Sequence, residues 1–243
     1  LDELFGQSVE HEPSLVKGFN NLFIARIDQI LALDEYRKRI LNSVSGKDEA
    51  TIKSVEEDLN SPCAEEMAAF EKFMDYFDTK DYSVVIFDTA PTGHALRLLE
   101  LPTDWKGFID LGTLTRETSQ KTKDKYDRII NTMKNPDKSV FIFVMFPEYT
   151  PMMEAFRAAN DLKQQVGIQA GFVAVNYLLS KDVGNNPFFA SRRSQQNYYL
   201  NKIRELFQIP MATAPLCEYE PQGLEQLKEF AVQVYGTSTT LNN

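Results

Sequence analysis

The sequence predicts a doubly wound α/β fold, a mostly parallel sheet carrying an inserted α-helical subdomain. Three observations predict it. Short β-branched and aromatic runs lack the strict alternation of half-exposed strands; helical patterns separate those runs; and residues 28–77 carry almost no strand signal. Strand, helix, strand, helix in that order makes βαβ units.

Taken along the chain, residues 21–27 are a weak first strand candidate. Residues 34–44, 49–59 and 64–77 then follow as amphipathic, charged helices, with Ser61-Pro62 as a start signal for the third. Met67, Phe70, Phe73, Met74 and Phe77 fall on one side of that helix; the stripe could hold a membrane helix, but such spacing usually means a core-facing stripe. Val84-Val85-Ile86-Phe87-Asp88 is apolar without alternation, as expected of a strand covered on both faces. A polar helical stretch runs from about residue 115 to 133. Residues 140–146 and 171–176 repeat the buried-strand pattern, and Met211-Ala212-Thr213-Ala214, framed by prolines, is a short further strand. Between them, residues 152–166 keep apolar positions three and four apart until Gly167 stops the helix; 192–207 and 224–235 are two more helices. The expected organisation is one domain over residues 1–243, with helical insertions at about 29–80 and 104–134.

Composition narrows the function. The 243 residues carry 35 acidic against 26 basic side chains, a formal charge of −9, which a phosphate backbone would repel; no nucleic-acid partner is expected. Cys63 and Cys217 are too few for a disulfide framework and fit a reducing, cytoplasmic setting. No apolar run approaches the roughly 18 residues needed to cross a bilayer. The opening Leu1-Asp2-Glu3-Leu4 is acidic where a signal peptide is basic. Because the chain opens without Met and inside what reads as an ongoing element, it is expected to be incomplete.

The strongest motif is the run from Val84 through Asp88-Thr89-Ala90-Pro91-Thr92-Gly93-His94. A carboxylate closing an apolar strand lies where parallel sheets bind ligands. The small residues and glycine after it let backbone approach a phosphate closely. This run, continuing through Ala95-Leu96-Arg97-Leu98-Leu99-Glu100-Leu101-Pro102, resembles the switch II signature of the arsenical pump-driving ATPases and their relatives that target tail-anchored membrane proteins. Further likenesses follow in order: Leu1 to Gln7 to the stretch after switch I, and Pro147-Glu148 with a helix carrying Glu154 and Arg157. Val175-Asn176-Tyr177-Leu178-Leu179 is similar to the segment whose Asn reads adenine. Pro215-Leu216 with Glu220-Pro221-Gln222-Gly223-Leu224 is similar to the loop that closes over the base.

The resemblance implies a P-loop NTPase fold of the SIMIBI type and a homodimer binding ATP and Mg²⁺. Asp88 would hold Mg²⁺ through water, and Thr89, Pro91 and Gly93 would respond to the γ-phosphate. Asn176, Pro215 and Leu216 would contact the base. Cys63 and His94 match residues that pump-type members use to bind As(III) or Sb(III), and thiolate suits that soft centre. Cys217 reads as a packing residue beside the base loop, and His11 is given no role.

Departures matter as well. Gly46-Lys47 is followed by Asp48 and lacks the earlier glycine of a phosphate loop, so these 243 residues alone are not expected to hydrolyse ATP. No Cys stands near residues 111–114, where a further metalloid thiol would fall. The zinc-clamp position holds Asn186-Pro187-Phe188-Phe189, so no zinc is expected. Residues 112–125 are polar and contain no Met, unlike a groove for apolar helices. The expected function is an ATPase subunit that drives arsenite and antimonite extrusion, peripheral at the membrane through its pump. The rival is a targeting factor for tail-anchored membrane proteins.

Overall fold

The computed structural model describes residues 1–89, 116–180 and 186–236. It divides into two compact units, one of Val9–Met133 and one of Leu1–Ser8 with Lys134–Asn243.

In the first unit, β1 (Ser14–Leu15) pairs antiparallel with β2 (Phe23–Ile24). Helices α2 (Gln29–Val44), α3 (Glu49–Leu59), α4 (Pro62–Asp78) and α5 (Arg116–Lys134, whose last residue belongs to the second unit) follow. The starts of α2, α3 and α4 have local causes. Asp28 accepts from the N–H groups of Ile30 and Leu31 at 2.9 and 3.1 Å. Asp48 accepts from the Thr51 N–H at 2.9 Å and its hydroxyl at 2.7 Å. Pro62 occupies the first turn of α4, where a missing N–H costs nothing. Arg37 of α2 closes the far end of α3, donating to the Leu59 carbonyl at 3.1 Å and the Asn60 side chain at 3.0 Å. Two apolar clusters hold the helices. Ala32, Leu33, Ala64 and Ala68 join α2 to α4, and Val44, Val55 and Leu59 join α2 to α3. Tyr36 packs against both.

The second unit is a three-stranded parallel sheet, β3 (Phe141–Met145), β4 (Ala170–Leu178) and β5 (Met211–Pro215), in that spatial order. Helix α6 (Tyr149–Asp161) carries the chain from β3 to β4, and α7 (Pro187–Phe207) from β4 to β5. The short α1 (Asp2–Phe5) packs on α8 (Gly223–Tyr235), which also lies against β5. Phe143, Met145, Val173 and Val175 are buried on one face of the sheet, with Met152, Ala155, Leu200 and Ile203 of α6 and α7 buried beside them. The Phe207 ring lies 5.7 Å from that of Phe156 and 6.5 Å from that of Phe143. Gly171 is required by space: a Cβ there would sit 3.0 Å from the Val140 side chain.

Five sequence expectations are corrected. Residues 84–88 run extended without a ladder partner, and Val84 and Ile86 are 77 and 88% exposed. A strand exists only where a neighbour supplies its hydrogen bonds, and the described residues supply none for this run. Among the described residues, 140–146 are covered on one face only: β3 lies at the edge of the described sheet, and Ile142 and Val144 stand exposed. Residues 21–27 give a two-residue antiparallel strand rather than a member of the parallel sheet. The helix expected from 192 begins at Pro187, because Asn186 accepts from the Phe188 N–H at 3.0 Å and proline fits the first turn. The helix expected through 166 is α-helical to Asp161 and closes in a π turn, Leu162–Val166, ended by Gly167 at φ 80°.

Two expected outcomes follow from the helical unit. Asp28→Ala removes the cap of α2 and lowers stability by about 1 kcal/mol, read from the urea midpoint at unchanged slope. Burial, then the neighbouring Glu71 carboxylate, push the Tyr36 hydroxyl up to about 12 against the pull of Arg39. The folded state therefore holds that proton more tightly than the unfolded chain. Its contribution is fully present below pH 10 and is lost as pH rises toward 12. Urea titrations of wild type and Tyr36→Phe across this interval should show the wild type alone losing that increment; parallel curves would disprove it.

Candidate functional site

The C-terminal ends of β4 and β5 gather the residues expected to hold a base. The parallel register pairs Leu178 with Pro215, and the Leu216 N–H donates to the Leu178 carbonyl at 2.8 Å. Asn176 and Pro215, half-buried, and the exposed Leu216 therefore stand at one end of one sheet. Parallel sheets place ligands at this end because the strands finish there and the connecting loops open a crevice.

Three features here had no counterpart in the sequence reading. Tyr177 has φ 62°, unusual for a side chain with a Cβ, at the place where the β4–β5 register shifts between Val175 and Leu178. The buried Gln196 of α7 donates from Nε2 to the Tyr177 carbonyl at 3.0 Å and accepts at Oε1 from the Leu179 N–H at 2.9 Å. The Asn176 Oδ1 accepts from the Tyr177 N–H at 2.8 Å. A non-glycine residue at positive φ is invisible to hydrophobic periodicity; an Asn before it was the one available signal. Two adjacent arginines of α7 differ in their surroundings. Arg192 pairs with Glu148, the residue preceding α6, while Arg193 keeps a buried Nη1 with no hydrogen-bond partner.

In the first unit, Asp88 and Thr89 are exposed at the end of the extended run. Phe87 anchors that run on α4: its ring centroid lies 4.4 Å from that of Phe73 and 4.8 Å, nearly coplanar, from that of Phe77. The α4 stripe is core, with Phe70 and Met74 buried, but its outer aromatics also seat the residue before Asp88. Cys63 lies in the first turn of the same helix. Pro91, Gly93 and His94 lie outside the described residues, as does the rest of the switch II likeness through Pro102. Cys217 is a half-buried free thiol after β5.

His11, given no role by the sequence, belongs to a cluster with Glu12 and Glu35 whose ligand-type atoms lie within 4.8 Å of one another. The hydrogen bonding argues against a metal centre. Nδ1 accepts from the Asp28 N–H at 3.1 Å, so the neutral ring carries its proton on Nε2, the atom that faces Glu35 at 3.8 Å. The cation of the cluster is Lys72, 3.3 Å from Glu12 and 3.4 Å from Glu35. Burial works against its ammonium, but the two carboxylates prevail and hold its pKa above the ordinary lysine value.

A parallel sheet with helical crossovers defines an α/β protein. Comparison gives the family: the sequence model described as Anion-transporting ATPase matches residues 1–118 and 111–236, and the chain belongs to that family, whose fold is that of the P-loop NTPases. A Halobacterium salinarum protein named "Putative arsenical pump-driving ATPase" is 54% identical over 97% of this chain and 38% of its own length. The arsenical pump-driving ATPase of Escherichia coli is 32% identical over 87% of this chain and 35% of its own. The ATPase ASNA1 homolog of Babesia bovis is 30% identical over 95% of this chain and 78% of its own. The chain thus spans little more than a third of the pump-driving relatives. Among the described residues, no helix is long and apolar enough to cross a membrane.

The exposure of Asp88 generates a stability prediction. Asp88→Asn should leave the unfolding free energy within about 0.5 kcal/mol of wild type, the range of exposed substitutions. A larger loss in chemical denaturation would mean that the carboxylate serves the fold.

Proposed function

We propose that this chain is part of an ATPase that couples hydrolysis of Mg²⁺-ATP to extrusion of arsenite or antimonite through a membrane pump. The observation that carries the reading is the meeting of Asn176 with Pro215 and Leu216 at one end of the parallel sheet. Two segments far apart in sequence, each resembling a base-binding element, come together where such a sheet takes ligands.

In this reading Asn176 and the Pro215-Leu216 loop hold the adenine. Asp88 offers a hard carboxylate oxygen of the kind that holds Mg²⁺ directly or through water, and the exposed position suits it. Bound Mg²⁺ would supply neutralisation of phosphate charge. Thr89, Pro91 and Gly93 follow the γ-phosphate, and Phe87 on Phe73 and Phe77 ties the residue before Asp88 to the helix that Cys63 begins. Cys63 and His94 take the metalloid, so effector binding and the phosphate-sensing turn share α4. The protein works as a cytoplasmic homodimer, peripheral at the membrane through its pump.

The rival, a targeting factor for tail-anchored membrane proteins, draws support from the relatives named ATPase ASNA1 homolog and from the Arabidopsis thaliana ATPase GET3A, 29% identical over 95% of this chain. The 54% identity to the Halobacterium salinarum relative favours the pump. Activation decides. Arsenite or antimonite should stimulate ATP hydrolysis by the full-length protein several-fold, and Cys63→Ala should abolish the stimulation while sparing basal turnover. A protein that ignores metalloid and retains single-pass membrane proteins on purification is the targeting factor.

A further inference from the structure

The kink in β4 has an arrangement that packing alone does not require. Tyr177 is held at positive φ inside a strand, and both polar ends of the buried Gln196 amide are spent on backbone to keep it there. Strain of this kind persists where the surroundings over-determine it, and it clusters at ligand sites. Its consequence is to turn the Tyr177 side chain outward: the residue is 50% exposed, and its ring stacks on that of Phe146, 42% exposed, with centroids 4.8 Å apart and planes 17° apart. Phe146 directly follows β3, so the pair spans the C-terminal ends of two neighbouring strands. One flat face of Tyr177 is covered by Phe146, and half of the residue stays exposed. The hydrogen bond from the Tyr177 N–H orients the adjacent Asn176 amide by its oxygen, which leaves the Nδ2 donors directed elsewhere.

We propose that the Phe146–Tyr177 pair is a stacking platform for the aromatic base of the bound nucleotide, and that Gln196 is the residue that positions it. The proposal rests on the nucleotide reading above and adds to it the residues that hold the base by its face. A flat apolar ring beside an amide donor matches the two recognition elements of a purine, its π surface and its polar edge. Phe146 supports Tyr177 from behind, and Gln196 fixes the backbone turn without reaching the base.

The test uses the full-length protein with ATP and with 2-aminopurine riboside triphosphate, whose fluorescence is quenched on stacking. Wild type should bind and quench. Tyr177→Gly keeps the left-handed backbone at no steric cost and removes the side chain; it should weaken binding roughly tenfold, as loss of one stacking partner does, and abolish the quench. Tyr177→Phe should retain both. Gln196→Ala should reduce the quench at saturating nucleotide, a signature that a general loss of stability does not produce, with circular dichroism unchanged. ATP binding and quench in Tyr177→Gly equal to wild type overturn the platform and leave the nucleotide reading standing. An unaltered quench in Gln196→Ala overturns the positioning role. A wild type that binds no nucleotide overturns the nucleotide reading and the platform together.

Discussion

The parallel pairing of β4 with β3 on one side and β5 on the other is the constraint on which the second unit depends. Parallel strands cannot be joined by a tight turn, so each pairing requires a crossover, and α6 and α7 are those crossovers. Once the three strands lie side by side, all their C-terminal ends share one edge. The Leu216 N–H reaches the Leu178 carbonyl only because β5 is in register with the end of β4. Phe146, Asn176, Tyr177 and the Pro215-Leu216 turn share that edge for the same reason.

The helical unit solves a different problem. Its helices are charged and amphipathic, so packing of their apolar faces against α2, rather than intrinsic propensity, supplies most of their stability. Caps at Asp28 and Asp48 fix where helices begin, and Arg37 fixes where α3 ends. Helix α4 has two tasks. Phe70 and Met74 are buried, while Phe73 and Phe77 receive Phe87, so the residue before Asp88 is tied to the helix that Cys63 opens. Aromatic contact of this sort transmits a displacement of the helix to the loop it touches, because packed rings are poorly compressible.

Much of this was legible in the residues. Helices α3 and α8 and strand β5 fell within a residue or so of the expected bounds, since apolar spacing and flanking Asp, Gly and Pro are local signals. The segments resembling base-binding elements were identifiable by their own short strings. The run ending in Asp88 was legible as apolar but not as unpaired, and β3 was legible as a strand but not as an edge. Both depend on which neighbours exist, and that is not written in the run itself. Gln196 was hidden for a related reason: a glutamine in a polar helix reads as surface, and its burial follows from the kink that it holds.

The sequence by itself determined the alternation of strand and helix, the bounds of α3 and α8, and the family to which the chain belongs, because each is encoded in contiguous residues. Tertiary structure alone decided that Tyr177 turns outward, that Leu216 meets Leu178, and that Lys72 lies between Glu12 and Glu35. Those outcomes arise from groups distant in sequence, and only the folded backbone brings such groups within hydrogen-bonding range.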